Sequence, residues 1–274
     1  MKSIFKSLSF VVYFFVSQLA ATIGLVFWKI NADQDWFESV SDCLMNGTGM
    51  FSAEYFSLVS EILFPALVIA DLLIIVPMIG VSVRRGIHLF HRISIRGALS
   101  LTVLAGALNM LVSYVVDSLP ESSMTAGYNE LTSVLTNGGF GIVLLTSGIL
   151  APIVEELIFR FGFIYLNRGR NLKLIIFISS LAFGIAHMNP VQSTYAFLLG
   201  LVLGYVYVKS DFNLLSSIIM HITINSTSVI YEYAGWTLRG VLLGVGLMCM
   251  WIVGYQLIKR ELKEKYYGYE VNSK

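Results

Sequence analysis

Charge is what this sequence has least of. Asp, Glu, Lys and Arg make up 13% of its 274 residues, where a soluble domain carries about 25%. The net charge is +1, so there is no basic excess of the kind that binds nucleic acid. Cysteine is nearly absent. Cys43 in a polar loop and Cys249 in an apolar stretch supply neither a disulfide framework nor a Cys-type zinc site. There is no G-x-S-x-G segment, which removes the usual nucleophilic-serine signature. Asp71 is the only Asp inside an apolar run, and one Asp cannot form an aspartyl dyad. No repeat and no low-complexity linker divides the chain, so 1–274 reads as a single membrane domain.

What is present is long and apolar. The chain is 56% hydrophobic with a mean hydropathy of +0.76, and a run of about 20 apolar residues crosses a hydrocarbon core of about 30 Å. Eight spans are expected, at roughly 8–28, 62–83, 97–116, 139–166, 173–188, 194–208, 212–231 and 239–258. The first follows Lys2 and Lys6 but is longer than a signal-peptide core, so it reads as an uncleaved span. Pro152 predicts a kink in the fourth. The sixth is short and interrupted by Gly200 and Gly204, and is the weakest of the set. The expected fold is all-α and polytopic, with about eight transmembrane helices around a polar intramembrane cavity.

The loops alternate in charge. Lys2, Lys6, Arg84, Arg85, Arg92, Arg96, Arg168, Arg170, Lys173, Lys209 and the tail Lys259–Lys265 fall on one side. Asp33, Asp35, Glu38, Asp42, Glu54, Glu61, Asp117, Glu121, Glu130 and Glu232 fall on the other, with Arg239 as its one clear cation and Lys29 at a boundary. Basic loops stay cytoplasmic, so both termini are expected inside in a multi-pass protein; the compact chain and short loops, not the charges, point to a bacterial plasma membrane. Trp28, Trp36, Tyr231, Tyr233 and Trp236 near span ends fit an interfacial aromatic belt. The tail reads as headgroup-binding, and His88 and His91 as solvated members of a basic loop.

Ionisable groups inside a bilayer are costly and mark function by default. Besides Asp71, which reads as a hydrogen-bonded structural residue, they are Glu155, Glu156, Arg160, His187 and His221. Arg160 is four residues beyond Glu156, so the two share a helix face and pair. Glu155 then points elsewhere without an obvious partner. His187 ends the segment FGIAH, with Phe183 one turn before it, and His221 and Asn225 lie four residues apart on one face. At about 1.5 Å per residue, Glu155, His187 and His221 lie about 18, 21 and 14 Å from the cytoplasmic ends of their spans. One common site near mid-membrane is therefore geometrically open to them. Two chemistries are open as well. Glu155 with His187 and His221 could hold zinc, or Glu155 with a His could activate water while His221 and Asn225 donate to an oxyanion. Either hydrolyses an acyl bond.

The ordered set Glu155-Glu156-x-x-x-Arg160, Phe183-x-x-x-His187 and His221-x-x-x-Asn225 resembles the motifs of the CPBP family. These are the CAAX-protease and bacteriocin-processing intramembrane peptidases, also called Abi. The resemblance covers roughly residues 145–235, inside a family-like catalytic core of approximately 139–235. It implies an all-helical core with a cavity opening toward the cytoplasm, and an endopeptidase acting near the C-terminus of a hydrophobic, prenylated or bacteriocin-like peptide or protein. It implies Glu155 and His187 as the water-activating pair, His221 and Asn225 as oxyanion donors, and Glu156 and Arg160 as supporting residues. Cofactor use stays open between none and zinc on Glu155, His187 and His221. Expected partners are such a substrate and membrane lipids, with no nucleic acid. The alternatives are a non-catalytic immunity or scaffold protein of the same family and, behind it, a transporter, against which the lack of an inverted repeat counts.

Overall fold

The computed structural model describes residues 2–45, 53–136, 139–235, 237–246, 248, 249 and 252. The described chain is helical throughout: α1 (Lys2–Ala32), α2 (Gln34–Met45), α3 (Ala53–Arg84), α4 (Ile95–Asp117), α5 (Ser123–Thr136), α6 (Phe140–Asn167), α7 (Leu172–Ala186), α8 (Pro190–Lys209), α9 (Leu214–Tyr233) and α10 (Thr237–Gly246). Among the described residues α1, α3, α4, α6, α8 and α9 are long and apolar enough to cross a membrane. The fifth expected span is a helix of only 15 residues, α7. The eighth is described mainly as α10; most of its later half, Trp236 and the basic tail lie outside the described residues. The protein is an all-α integral membrane protein. Its helices face lipid with apolar stripes: Val12, Val16, Leu19, Ile23 and Phe27 follow one face of α1 and are all exposed, the pattern a membrane surface favours.

Two helices were not foreseen. α2 is amphipathic and lies against α1 and α3, with Trp36 buried and its indole N–H donating to the Leu58 carbonyl at 3.0 Å. Trp36 is thus an anchor between helices rather than a belt residue, whereas Trp28 is exposed. The boundary cation Lys29 pairs with Asp33 at 2.8 Å and Glu61 at 2.9 Å. α5 lies across α8 and α9, with Tyr128 edge-on to Tyr195 at 6.3 Å between ring centroids. Arg239, the exceptional cation of the acidic side, donates to the carbonyls of Glu232 and Ala234 and so closes the C-terminal end of α9.

α6 is irregular. An α-helical turn, Ala151–Glu156, sits between two wider π-helical stretches, Leu144–Leu150 and Leu157–Ile164. Pro152 has no N–H to offer the preceding turn. The carbonyls of Ser147 and Gly148 there accept instead from Asn225 Nδ2 at 3.0 Å and Ser226 Oγ at 3.3 Å of α9. In the second stretch the Phe159 carbonyl accepts from Ser179 Oγ of α7 at 2.7 Å, and the Gly162 carbonyl from Ser7 Oγ of α1 at 2.8 Å. Backbone polar groups in lipid require internal partners, and three neighbouring helices supply them. The expected kink at Pro152 is realised as this change of winding.

α7 and α8 form the closest helix pair. A Cβ on Gly184 would lie 2.7 Å from the Ser193 carbonyl oxygen, one on Gly200 would lie 3.1 Å from the Phe183 ring, and one on Gly204 would lie 3.0 Å from Ile176. Small residues let membrane helices approach closely. Gly200 and Gly204, which weakened the sixth span in the sequence, are its packing face. Gly184→Val is expected to destabilise the protein by about 1–3 kcal/mol through overpacking, read as a lower unfolding midpoint in detergent; an unchanged midpoint would remove this packing argument.

Candidate active site

The site forms where α6, α7 and α9 meet. Glu156 and Arg160 are both completely buried, and the Arg160 Nε–H donates to Glu156 Oε2 at 3.0 Å. The expected pairing is present. The other oxygen, Glu156 Oε1, lies 2.9 Å from His221 Nδ1. A carboxylate so placed accepts from an imidazole N–H and fixes the ring's orientation. Glu156 therefore links Arg160 to His221, a connection that separate motifs in a sequence cannot display.

His221 stands between the two adjacent glutamates. Its Nε2 is 3.4 Å from Glu155 Oε2, and that oxygen is buried without a hydrogen-bond partner. Adjacent residues on a helix project about 100° apart, yet both reach one imidazole, one on each ring nitrogen. Asp71 of α3 is buried and within electrostatic range of Glu155, which adds a second carboxyl beside it.

His187 caps the end of α7, followed by Met188 at φ 53° and then the α8 N-cap Asn189. Its Nδ1 lies 2.8 Å from the Phe183 carbonyl. A carbonyl only accepts, so Nδ1 carries the proton and Nε2 keeps a lone pair. Phe183 joins the parts: its ring is edge-on to His187 at 4.8 Å and to His221 at 5.6 Å, with the Arg160 guanidinium carbon 5.3 Å over its face. This apolar wall suits strong electrostatics in a dry site.

His187, His221 and Asn225 line one cavity of about 150 Å³. It continues to Asp117, Tyr128, Tyr231 and Glu232, at the end of the bundle that bears the acidic loops. The opening toward the basic side implied by the resemblance is not the direction in which this cavity runs. Asn225 has one amide N–H engaged with the Ser147 carbonyl, leaving the second for a ligand. His88 and His91 are exposed and far along the chain from this site.

The three residues named for zinc are not drawn together around one point in this arrangement. Among the described residues no three His, Cys, Asp or Glu side chains gather as a metal site. His221 Nδ1 is held by Glu156 and His187 Nδ1 by a backbone carbonyl, which orients both rings and leaves each Nε2 toward the site. A coordinating triad of Glu155, His187 and His221 would need side-chain rearrangement.

Removing the Arg160 guanidinium would leave Glu156 buried beside His221 without its cation. Arg160→Ala is expected to cost about 3–5 kcal/mol, as for other broken buried pairs, and to lower folded yield; normal yield and an unchanged unfolding midpoint would contradict it.

Residues 137–227, which contain all three motifs, match the family model described as type II CAAX prenyl endopeptidase Rce1-like. No curated protein and no solved structure matches the chain. The match begins just before α6 and ends within α9, so it spans the elements that build the site and leaves α1 to α5 outside. Over this segment, which is less than half of the chain, the protein is similar to the CAAX-type intramembrane proteases.

Proposed function

We propose that the protein is an endopeptidase that cleaves near the C-terminus of a hydrophobic or lipidated peptide or protein, using water activated by Glu155. The observation that carries this reading is the buried, unpartnered Glu155 Oε2 at 3.4 Å from His221 Nε2, beside a cavity lined by His187, His221 and Asn225. A carboxylate oxygen with no hydrogen bond of its own is free to accept one from a water molecule and to take its proton as that water attacks.

In the reaction, Glu155 takes a proton from water as the oxygen attacks the scissile carbonyl carbon. The lone pair on His187 Nε2 accepts a hydrogen bond from that water and orients it. The oxyanion that forms accepts from the free N–H of Asn225, while Glu156 fixes the neighbouring His221 ring through Nδ1. Glu155 then returns its proton to the departing amine nitrogen as the C–N bond breaks. The resemblance pairs Glu155 with His187; the geometry supports His221 as the imidazole nearest to Glu155, with His187 across the cavity. No step requires a metal.

Glu155→Gln and His187→Ala are each expected to lower cleavage of a C-terminally prenylated or hydrophobic peptide by about 10²–10⁴-fold, with insertion and unfolding midpoint retained, and a chelator is expected to leave wild-type cleavage unchanged. Full activity of Glu155→Gln would end this mechanism. Chelator inhibition would restore the zinc route. Absence of cleavage by the wild type would favour an immunity or scaffold role. Both termini are proposed to be cytoplasmic, supported by the loop charges, in a bacterial plasma membrane; a reporter fused at Lys274 is expected to read inside, and an outside reading would overturn this orientation.

A further inference from the structure

α4 lies outside the segment that matches the family model, yet it forms one wall of the active-site cavity. Asn109, Ser113 and Asp117 recur every four residues along it, and all three line the cavity. That spacing puts them on one helix face, a polar track on an otherwise apolar span. Asn109 is 4% exposed, and its Nδ2 is buried without a hydrogen-bond partner. Leaving a buried donor unsatisfied costs about 1–3 kcal/mol. A donor held in that state, facing a cavity, is matched to an acceptor that arrives with a ligand.

The register of α4 against α9 says where that acceptor lies. At the cavity mouth the Tyr231 hydroxyl donates to Asp117 Oδ2, which ties the two helices together. Both run toward the mouth, so depth can be counted back from this tie at about 1.5 Å per residue. Asn109 is eight residues back, about 12 Å deep. Asn225 is six residues back and His221 ten, about 9 and 15 Å deep. Asn109 therefore sits level with the interval between Asn225 and His221. Ala105, one turn deeper on α4, belongs to one buried cluster with Met220 and Ile224 of α9.

We propose that Asn109 is a substrate-positioning residue whose amide donates a hydrogen bond to a main-chain carbonyl of a peptide held in extended form, next to the bond aligned with Glu155. Ser113 and Asp117 continue the polar track to the mouth, where the chain enters. An extended peptide carries unsatisfied backbone acceptors along its length, and an amide at this depth recognises them without regard to side chain. The inference rests on the peptidase reading, and binding to an inactive protein separates the two.

The test uses the full-length Glu155→Gln protein in detergent and a fluorescent, C-terminally farnesylated peptide, with a series in which each backbone carbonyl in turn is replaced by a methylene. Asn109→Leu added to Glu155→Gln is expected to weaken peptide binding about tenfold, the loss of one hydrogen bond. One methylene peptide should bind the parent about tenfold worse and the Asn109→Leu variant no worse than the unmodified peptide does. The unfolding midpoint without peptide should be unchanged or higher, because the substitution removes an unsatisfied buried donor. Equal affinity of the two proteins, a uniform loss across the methylene series, or no binding by the parent would overturn the proposal. Tight, position-dependent binding combined with no cleavage by the wild type would instead refute the peptidase reading while sustaining the role of Asn109.

Discussion

The arrangement depends on one charge, that of Glu156. It is wholly buried, with one oxygen on Arg160 and the other facing His221. A carboxylate at that depth is stable only when both oxygens are matched. α6 must therefore present Arg160 one turn along, and α9 must bring His221 to it. Phe183 covers the guanidinium and both imidazoles, which brings in α7, and the glycine face of α8 brings α7 close. The geometry of the candidate site follows from satisfying a single buried anion.

The second constraint is the irregular winding of α6. Its carbonyls accept from Ser7, Ser179, Asn225 and Ser226 of three neighbouring helices. This explains polar residues on faces that would otherwise be apolar. It also gives Asn225 two duties, since the amide that ties α9 to α6 is the one that faces the cavity. Exchanging Asn225 would disturb the helix that carries Glu155 as well as any oxyanion contact, and its loss of function alone is not diagnostic of chemistry.

Much of this was legible in the residues. Apolar run length located the spans, and the four-residue spacing of Glu156 and Arg160 announced their pairing. Counting depth placed His187 and His221 at one level, and they do line one cavity. The rest fails to show for physical reasons. α2 and α5 are too polar to read as spans and so passed as loops, although Asp33 and Ser122 cap their first turns. Gly200 and Gly204 looked like interruptions because the partner surface of α7 that requires them is invisible in one helix. Trp36 and Tyr231 sat where a belt residue would, but each donates to a specific acceptor on another helix. The contact of His221 with both glutamates depends on winding and packing that residue spacing does not encode. Asn109 escaped because a search for titratable groups passes over a neutral amide, although an amide is as demanding as a charge when it has no partner.

The tie between Glu156 and His221 spans 65 residues, and this has a consequence for biogenesis. Synthesis runs from the N-terminus, so α6 emerges well before α9. Until α9 arrives, Glu155 lacks its imidazole neighbour and the carbonyls around Pro152 lack Asn225 and Ser226. α6 cannot settle as a finished span on leaving the insertion machinery. Its polar groups are fully matched only once α7 and α9 have packed against it. The half of the molecule that holds the candidate site is in this sense interdependent, its polar groups matched only when α6, α7 and α9 are all present.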